Sequence, residues 1–215
     1  MNRFASLATF KKSLLGLLAV ILLLGLLCLY HPFRREVRVV GQTTIAHLYA
    51  SPTAPFPTIS TVGLTPVQRR IVALSQQEYA KKPVSYDSTV LMYTQGTDEP
   101  WCADFASWIL KQAGQPFNNP NSGSWRIPGV YTLQAYFQAK HDYAAAGTYV
   151  PKTGDVAIYH IGEGHTNIVL SVHGDEMTTI GGNETGHLRI ETQSYAKGAG
   201  GLDGFGVLMS EQVAH

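Results

Sequence analysis

The stretch Glu99-Pro-Trp-Cys-Ala-Asp-Phe-Ala-Ser-Trp-Ile-Leu110 carries the strongest structural signal of the 215-residue chain. A proline just before the cysteine suits the first turn of a helix, and Gly114 is a typical stop after one. We therefore predict a helix from Trp101 to Ala113. Its unpaired N–H groups and positive dipole end would then face Cys102 and favour a thiolate there. Cys102 is a candidate nucleophile, whereas the commoner fate of a lone cysteine is that of a small buried hydrophobe.

Along the whole chain, the segments with helical patterns come first and the segments with strand patterns come after them. Thr65-Pro66 predicts the start of a helix that continues to about Ala80, and a short helix is predicted at 133–140. After Pro151, β-rich segments separated by glycines predict strands at 155–159, 166–172, 176–180, 187–192 and 204–209. This order indicates an α+β domain with N-terminal helices and an antiparallel sheet.

A cysteine nucleophile needs a base, and His165 is the best candidate among the eight histidines. It begins a β-rich segment, so its imidazole can reach a thiol at a neighbouring helix end. A third residue would hold the imidazole through its other nitrogen. Strand alternation places Asn183 on one face with Gly181, and its amide oxygen could accept the ring N–H. The sequence is equally compatible with Asn183 being an ordinary turn residue that follows two glycines.

A zinc amidase is an alternative of different chemistry. His160 and His165 lie five residues apart with Glu163 between them. An extended strand would put the two histidines on opposite faces, which disfavours a shared metal. We therefore expect no metal and no cofactor.

The cysteine stretch Glu99–Leu110 closely resembles the cysteine motif of CHAP domains, the cysteine- and histidine-dependent amidohydrolases/peptidases of the NlpC/P60 superfamily. Gly154-Asp-Val156 followed by Gly164-His165 resembles their histidine segment, and Ile180-Gly-Gly-Asn183 resembles their third motif. These motifs occur in the family's order and cover the chain from about Leu64 to its C-terminus. The resemblance implies a papain-like α+β fold and cleavage of amide bonds in peptidoglycan, within the peptides or between muramic acid and the first alanine.

One position departs from the family pattern. Many CHAP domains carry an acid two residues before the asparagine, where this chain has Gly181. Glu184 is adjacent, but a continuing strand would direct it to the opposite face. The sequence therefore predicts a catalytic triad of Cys102, His165 and Asn183.

Three aromatic residues are candidates for substrate binding. Trp101 could border the site, and Trp125 lies where a groove wall is expected. Tyr93, or alternatively Gln95, could add a donor to an oxyanion hole. Each has a structural alternative, since Trp101 suits a core and Trp125 could simply pin its loop.

The N-terminal segment differs from the rest of the chain in charge and hydropathy. Residues 13–33 form an uncharged apolar run that, as a helix, is about 30 Å long and would span a bilayer. We read residues 1–12 as a short cytoplasmic N-terminus, 13–33 as an uncleaved transmembrane anchor, 34–63 as a Pro/Thr-rich linker and 64–215 as the catalytic domain. Residues 1–38 carry six basic side chains and one acidic, so the overall charge of +1 conceals a mildly acidic domain. Nothing in this charge favours a nucleic-acid partner.

These features together predict a single-pass cysteine peptidase or amidase of the cell membrane. Its catalytic domain would face the periplasm or the cell exterior, where peptidoglycan lies, and protein partners are not predicted. An alternative is a catalytically weak or inactive CHAP-like module that binds the wall or assists its assembly. The glycine at position 181, where many CHAP domains have an acid, keeps this alternative open.

Overall fold

Helices precede strands along the chain in a computed structural model, which describes residues 55–208. The helices of this region are α1 Pro66–Ala80, α2 Ser88–Tyr93, α3 Cys102–Gln112 and α4 Val130–Ala139. The strands are β1 Tyr143–Ala145, β2 Val156–Tyr159, β3 His165–His173, β4 Glu176–Glu184, β5 His187–Ser194 and β6 Leu202–Gly206. The predicted α+β class is confirmed.

Local capping signals account for the helix starts. The Thr65 hydroxyl accepts from the backbone N–H of Gln68, whose side chain accepts in turn from the backbone of Thr65, which is a complete capping box. This confirms the predicted start of α1. The unpredicted helix α2 begins where the Asp87 carboxylate accepts from the N–H of Val90.

The strands form one antiparallel sheet in the order β1-β6-β2-β3-β4-β5. The strand β6, last in the described sequence, inserts between β1 and β2, so the C-terminal strand lies inside the sheet and not at its edge. All five predicted strands are present with shifted ends, and β1 is new. Strand β4 continues to Glu184, four residues beyond the predicted end at Ile180.

Helix α3 is the centre of the core. Eight of its eleven residues are buried, as expected for a helix enclosed on most sides. It packs on β3 and β4 and also contacts α1 and α2. Phe105 and Ile109 belong to the same apolar cluster as Ile168 and Ile180 of the sheet. Burial on this scale holds the N-terminus of α3 firmly against the beginning of β3.

Of the predicted N-terminal segments, only the end of the linker, residues 55–63, belongs to the described part of the chain. The predicted residues 1–12 and the predicted span 13–33 lie outside the described residues, as does the linker up to residue 54. Part of the described end of the linker packs on the domain. Phe56 and Ile59 lie against the main core, and the Phe56 ring meets that of Tyr79 at 5.8 Å. Apolar side chains among the prolines explain this packing.

Between residues 55 and 208, no helix combines the length and apolar character required to cross a bilayer.

Candidate active site

Cys102 is the first residue of α3 and is 5% exposed. It borders a depression of about 310 Å³, which we call the Cys102 depression; its other walls are Glu99, Pro100, Pro128, Gly129, Val130, Glu163 and Gly164. The thiol is free. The first-turn N–H groups of a helix lack intrahelical partners, so an anionic atom beside this sulfur would meet donors.

His165, the first residue of β3, lies against this thiol. Burial acts to lower the pKa of His165. Hydrogen bonds with Cys102 and Glu184, and the negative charges of both, outweigh burial and raise the pKa to about 10. The imidazole is therefore positively charged at neutral pH.

The second ring nitrogen of His165 faces a carboxylate. Its Nε2 lies 3.3 Å from Oε1 of Glu184, and the two side chains are 20% and 12% exposed. Asn167 donates to the same Oε1 over 3.0 Å. Burial acts to raise the pKa of Glu184, but the hydrogen bonds from His165 and Asn167 and the imidazolium charge lower it. Glu184 is therefore an anion.

The backbone of β4 explains why Glu184 lies on the same face as His165 and not on the opposite face, as strand alternation predicts. Asn183 has a φ of +60°, and the pairing register of β4 with β5 shifts between Gly181 and Glu184. This irregularity breaks the alternation that the sequence prediction assumed. The residue in contact with Nε2 of His165 is Glu184. Asn183 instead lines a second depression.

This second depression, which we call the Asn183 depression, has a volume of about 250 Å³. Its walls include Tyr86, Asp98 and Trp101 in addition to Asn183. It shares Glu99 and Pro100 with the Cys102 depression. A groove therefore extends on both sides of the segment that leads into Cys102.

The three aromatic candidates have unlike positions. Tyr93 is fully buried and its hydroxyl donates to Glu78 over 2.7 Å, so it has no surface with which to contact a substrate. Trp101 is 1% exposed and lies beneath the groove, where its indole donates to the hydroxyl of Ser85. Trp125 is half-buried with Lys111 over its ring. Lys111 is nine residues after Cys102 and lies near the other end of α3.

A charged cluster that no local sequence pattern predicts lies beside Cys102. Arg126 donates to Oδ1 of Asp104 over 2.7 Å and also to Glu99, which ties the loop before α4 to both sides of Cys102. Burial raises the pKa of Asp104 to about 6, although Arg126 acts to lower it. Asp104 lies in the first turn of α3 and is fully buried. No local pattern pairs it with an arginine 22 residues later.

The histidines of the zinc alternative have separate partners. His160 contacts Gln134 and Asp203, whereas His165 contacts Cys102 and Glu184. Among residues 55–208, no group of three or more His, Cys, Asp or Glu side chains is arranged to hold a metal ion.

Comparison with known families bears on this cysteine–histidine pair. Residues 93–183 match the family model of the CHAP domain. The match is consistent with a CHAP domain of the papain-like NlpC/P60 superfamily. The match includes Cys102 and His165 and ends at Asn183, one residue before Glu184. CHAP domains are generally cysteine- and histidine-dependent amidohydrolases or peptidases, which suggests peptidoglycan hydrolase or amidase activity.

The other comparisons add little to the CHAP domain match. No curated protein matches the chain. The crystal structure of Ly7917 aligns with 13% sequence identity and a TM-score of 0.42. This alignment covers 64% of the present chain and 61% of the other, so the chain spans less than two thirds of that protein.

Proposed function

We propose that this protein is a membrane-anchored cysteine hydrolase that cleaves amide bonds in peptidoglycan. The bond would lie in the stem peptide or between muramic acid and L-alanine. The observation that carries the proposal is the contact between Cys102 at the start of α3 and a charged His165 at the start of β3, within the CHAP segment. A buried cysteine with only a packing role does not need an imidazolium beside it.

The first step is nucleophilic attack. The imidazolium of His165 stabilises the thiolate of Cys102, which attacks the carbonyl carbon of the scissile amide. The electron pair of the C=O bond moves to oxygen, and the resulting oxyanion meets the free N–H groups at the start of α3.

The remaining steps release the two products. His165 donates its proton to the nitrogen of the leaving amine, the C–N bond breaks, and the acyl group stays on sulfur as a thioester. His165, now neutral, removes a proton from a water molecule that attacks the thioester. The C–S bond breaks, the acyl group leaves as a carboxylic acid that loses its proton to solvent, and the thiolate–imidazolium pair is restored. No step requires a cofactor.

The shape of the groove supports a peptide substrate. The Cys102 and Asn183 depressions flank the Pro100–Cys102 segment. A peptide cleaved in the middle needs space for residues on both sides of the bond, and the two depressions provide it. Trp101 lies beneath the groove and packs under its floor, so it holds the floor in place and does not itself contact the substrate.

The location follows from the substrate. Peptidoglycan lies outside the membrane, so a helix at residues 13–33 would hold the catalytic domain on the periplasmic or extracellular side. We propose a single-pass protein in this orientation, with residues 1–12 in the cytoplasm.

Digestion of purified sacculi tests the activity. The wild-type domain should release soluble muropeptides, and mass analysis of the new N-termini distinguishes an endopeptidase from an amidase. Cys102→Ala and His165→Ala should release none, whereas His173→Ala, at the exposed far end of β3, should match wild type. Excess chelator should have no effect, and thiol alkylation should abolish release.

Wild-type release by Cys102→Ala would overturn the proposal. Retention of the domain on insoluble sacculi without any soluble product would instead favour the wall-binding or assembly module. Activity lost in chelator but insensitive to alkylation would favour a metal amidase.

A further inference from the structure

We infer that Glu184 is the positioning residue of His165, in place of Asn183, and that it substitutes for an acid that the chain lacks at position 181. This inference rests on the proposed function, because it concerns the base of the same reaction. It goes further by naming the residue that sets the orientation and charge of that base.

The contact geometry supports this assignment. Glu184 Oε1 is 3.3 Å from Nε2 of His165, which leaves Nδ1 as the ring nitrogen available to the sulfur of Cys102. A carboxylate on one nitrogen and a thiolate on the other is the arrangement that a positioned imidazolium requires. With 12% of its side chain exposed, Glu184 is only weakly screened by water.

Gly181 makes the space that the Glu184 carboxylate occupies. A Cβ atom at position 181 would overlap Oε1 of Glu184 and Oδ1 of Asn167, closer than Cβ atoms approach other atoms in proteins. A glycine is therefore required at 181 as long as Glu184 occupies this site. The departure from the family pattern at Gly181 is therefore what allows the Glu184 carboxylate to lie beside His165.

The backbone that follows Gly181 brings Glu184 back to the same side. Gly182 faces the opposite way, since a Cβ there would meet the ring of Trp101 at 2.7 Å. Asn183 then adopts a left-handed conformation, φ +60°, which asparagine tolerates better than most residues. The left-handed backbone conformation therefore explains why an asparagine occupies position 183, although its side chain does not contact His165.

Neighbouring side chains hold the carboxylate in place. Asn167 bridges the site, donating from Nδ2 to Oε1 of Glu184 over 3.0 Å and to the hydroxyl of Thr179 over 3.2 Å. Arg189 of β5 donates to the backbone oxygen of Glu184 over 3.2 Å and fixes the chain at the end of β4. The orientation of Glu184 is therefore set from both adjacent strands.

The charge of Glu184 distinguishes its role from that of an amide. An amide oxygen could orient the imidazole, but a carboxylate also stabilises its positive charge. The titratable and charged groups around His165 are Cys102 from α3, Tyr159 from β2, Glu184 from β4, and Glu191 with Arg189 from β5. Glu191 interacts with Glu184 and is exposed, so its contribution is the weaker.

Substitution of Glu184 tests the inference through the pH profile of hydrolysis. Glu184→Gln keeps the shape and removes the charge, so we expect kcat to fall about 100-fold while KM changes less than about threefold. The alkaline limb of kcat/KM, set by loss of the imidazolium proton, should move at least about one pH unit lower. The matched control Glu176→Gln, an exposed glutamate of the same strand, should leave both unchanged.

A second set of measurements does not depend on hydrolysis. Titration of the His165 ring by NMR should give a lower pKa in Glu184→Gln and an unchanged pKa in Asn183→Ala. Gly181→Ala should lower this pKa as well, because the added methyl displaces the Glu184 carboxylate. Glu184→Asp, which keeps the charge, should retain more kcat than Glu184→Gln. Thermal unfolding identifies any variant that fails to fold, and Gly181→Ala then tests the same contact with Glu184 intact.

The outcomes separate this inference from the proposed function. If Cys102→Ala is inactive but Glu184→Gln has a wild-type kcat and alkaline limb, the inference alone fails. A lowered His165 pKa in Asn183→Ala, with none in Glu184→Gln, would return the role to Asn183. If Cys102→Ala remains active, the proposed function fails, and the NMR titration still decides whether Glu184 sets the charge of His165.

Discussion

Arg126 donates a 2.7 Å hydrogen bond to Asp104, a fully buried carboxylate two residues after the candidate nucleophile. The same guanidinium contacts Glu99, three residues before that nucleophile. One side chain from the loop before α4 therefore joins the segments on both sides of Cys102. This arrangement makes the start of α3 dependent on a residue that lies outside the cysteine motif.

Removal of Arg126 should destabilise the domain. Arg126→Met leaves Asp104 buried without its partner, and we expect the free energy of unfolding to fall by about 3 kcal/mol. Denaturant unfolding measures the loss. The control Arg69→Met, whose guanidinium contacts only a backbone oxygen at the exposed start of α1, should change stability by less than about 1 kcal/mol. Equal effects of the two substitutions would contradict the importance of the Arg126 contact.

The pKa of Asp104 predicts a specific pH dependence of stability. Burial raises this pKa from 3.8 to about 6, so between these values the folded state binds more protons than the unfolded state. The contribution of Asp104 is therefore most favourable below pH 3.8 and declines as the pH rises to about 6, by roughly 3 kcal/mol. Subtracting the unfolding free energies of Asp104→Asn from those of wild type across pH 4–7 isolates this decline. A difference that is flat with pH would show that Asp104 titrates normally.

Tyr93 should matter for stability and not for catalysis. Tyr93→Phe removes the hydroxyl that donates to the buried Glu78, and we expect a loss of about 1–2 kcal/mol in unfolding free energy. The kcat/KM for sacculus-derived peptides should remain within about twofold, since the ring stays in the core. Tyr86→Phe, at an exposed wall of the Asn183 depression, is the comparison for stability. A fall in kcat with unchanged stability would restore the oxyanion role to Tyr93.

Gly182 should tolerate no side chain. A Cβ at this position would lie 2.7 Å from the Trp101 ring and 2.9 Å from Cβ of Phe105, both fixed in the core. Gly182→Ala should therefore cost about 1–3 kcal/mol through overpacking. Gly129→Ala, where the nearest atom is the mobile side-chain oxygen of Thr132 at 3.3 Å, should cost clearly less in the same unfolding assay. Equal costs would indicate that the floor of the groove can move.

The sequence alone was enough to determine the helix that begins at Cys102 and the strand that begins at His165. Both depend on neighbouring residues: a proline before the cysteine, glycines before the histidine, and continuous β-rich spacing. The pair Thr65-Pro66 is likewise a local pattern, and it correctly predicted the start of the first helix. Such signals involve only a few residues along the chain, which is why they can be read without a structure.

The partners of these residues were decided only by the tertiary structure. Glu184 reaches His165 because Asn183 leaves the strand conformation and Gly181 leaves space, whereas strand alternation predicted the opposite face. Arg126 reaches Asp104 across 22 residues of sequence. The first contact joins the adjacent strands β3 and β4, and the second joins the loop before α4 to α3, so each depends on segments that only the fold brings together. Sequence periodicity describes one helix or strand at a time. It therefore predicts which element carries Cys102 or His165, but it does not predict which charged side chains surround them.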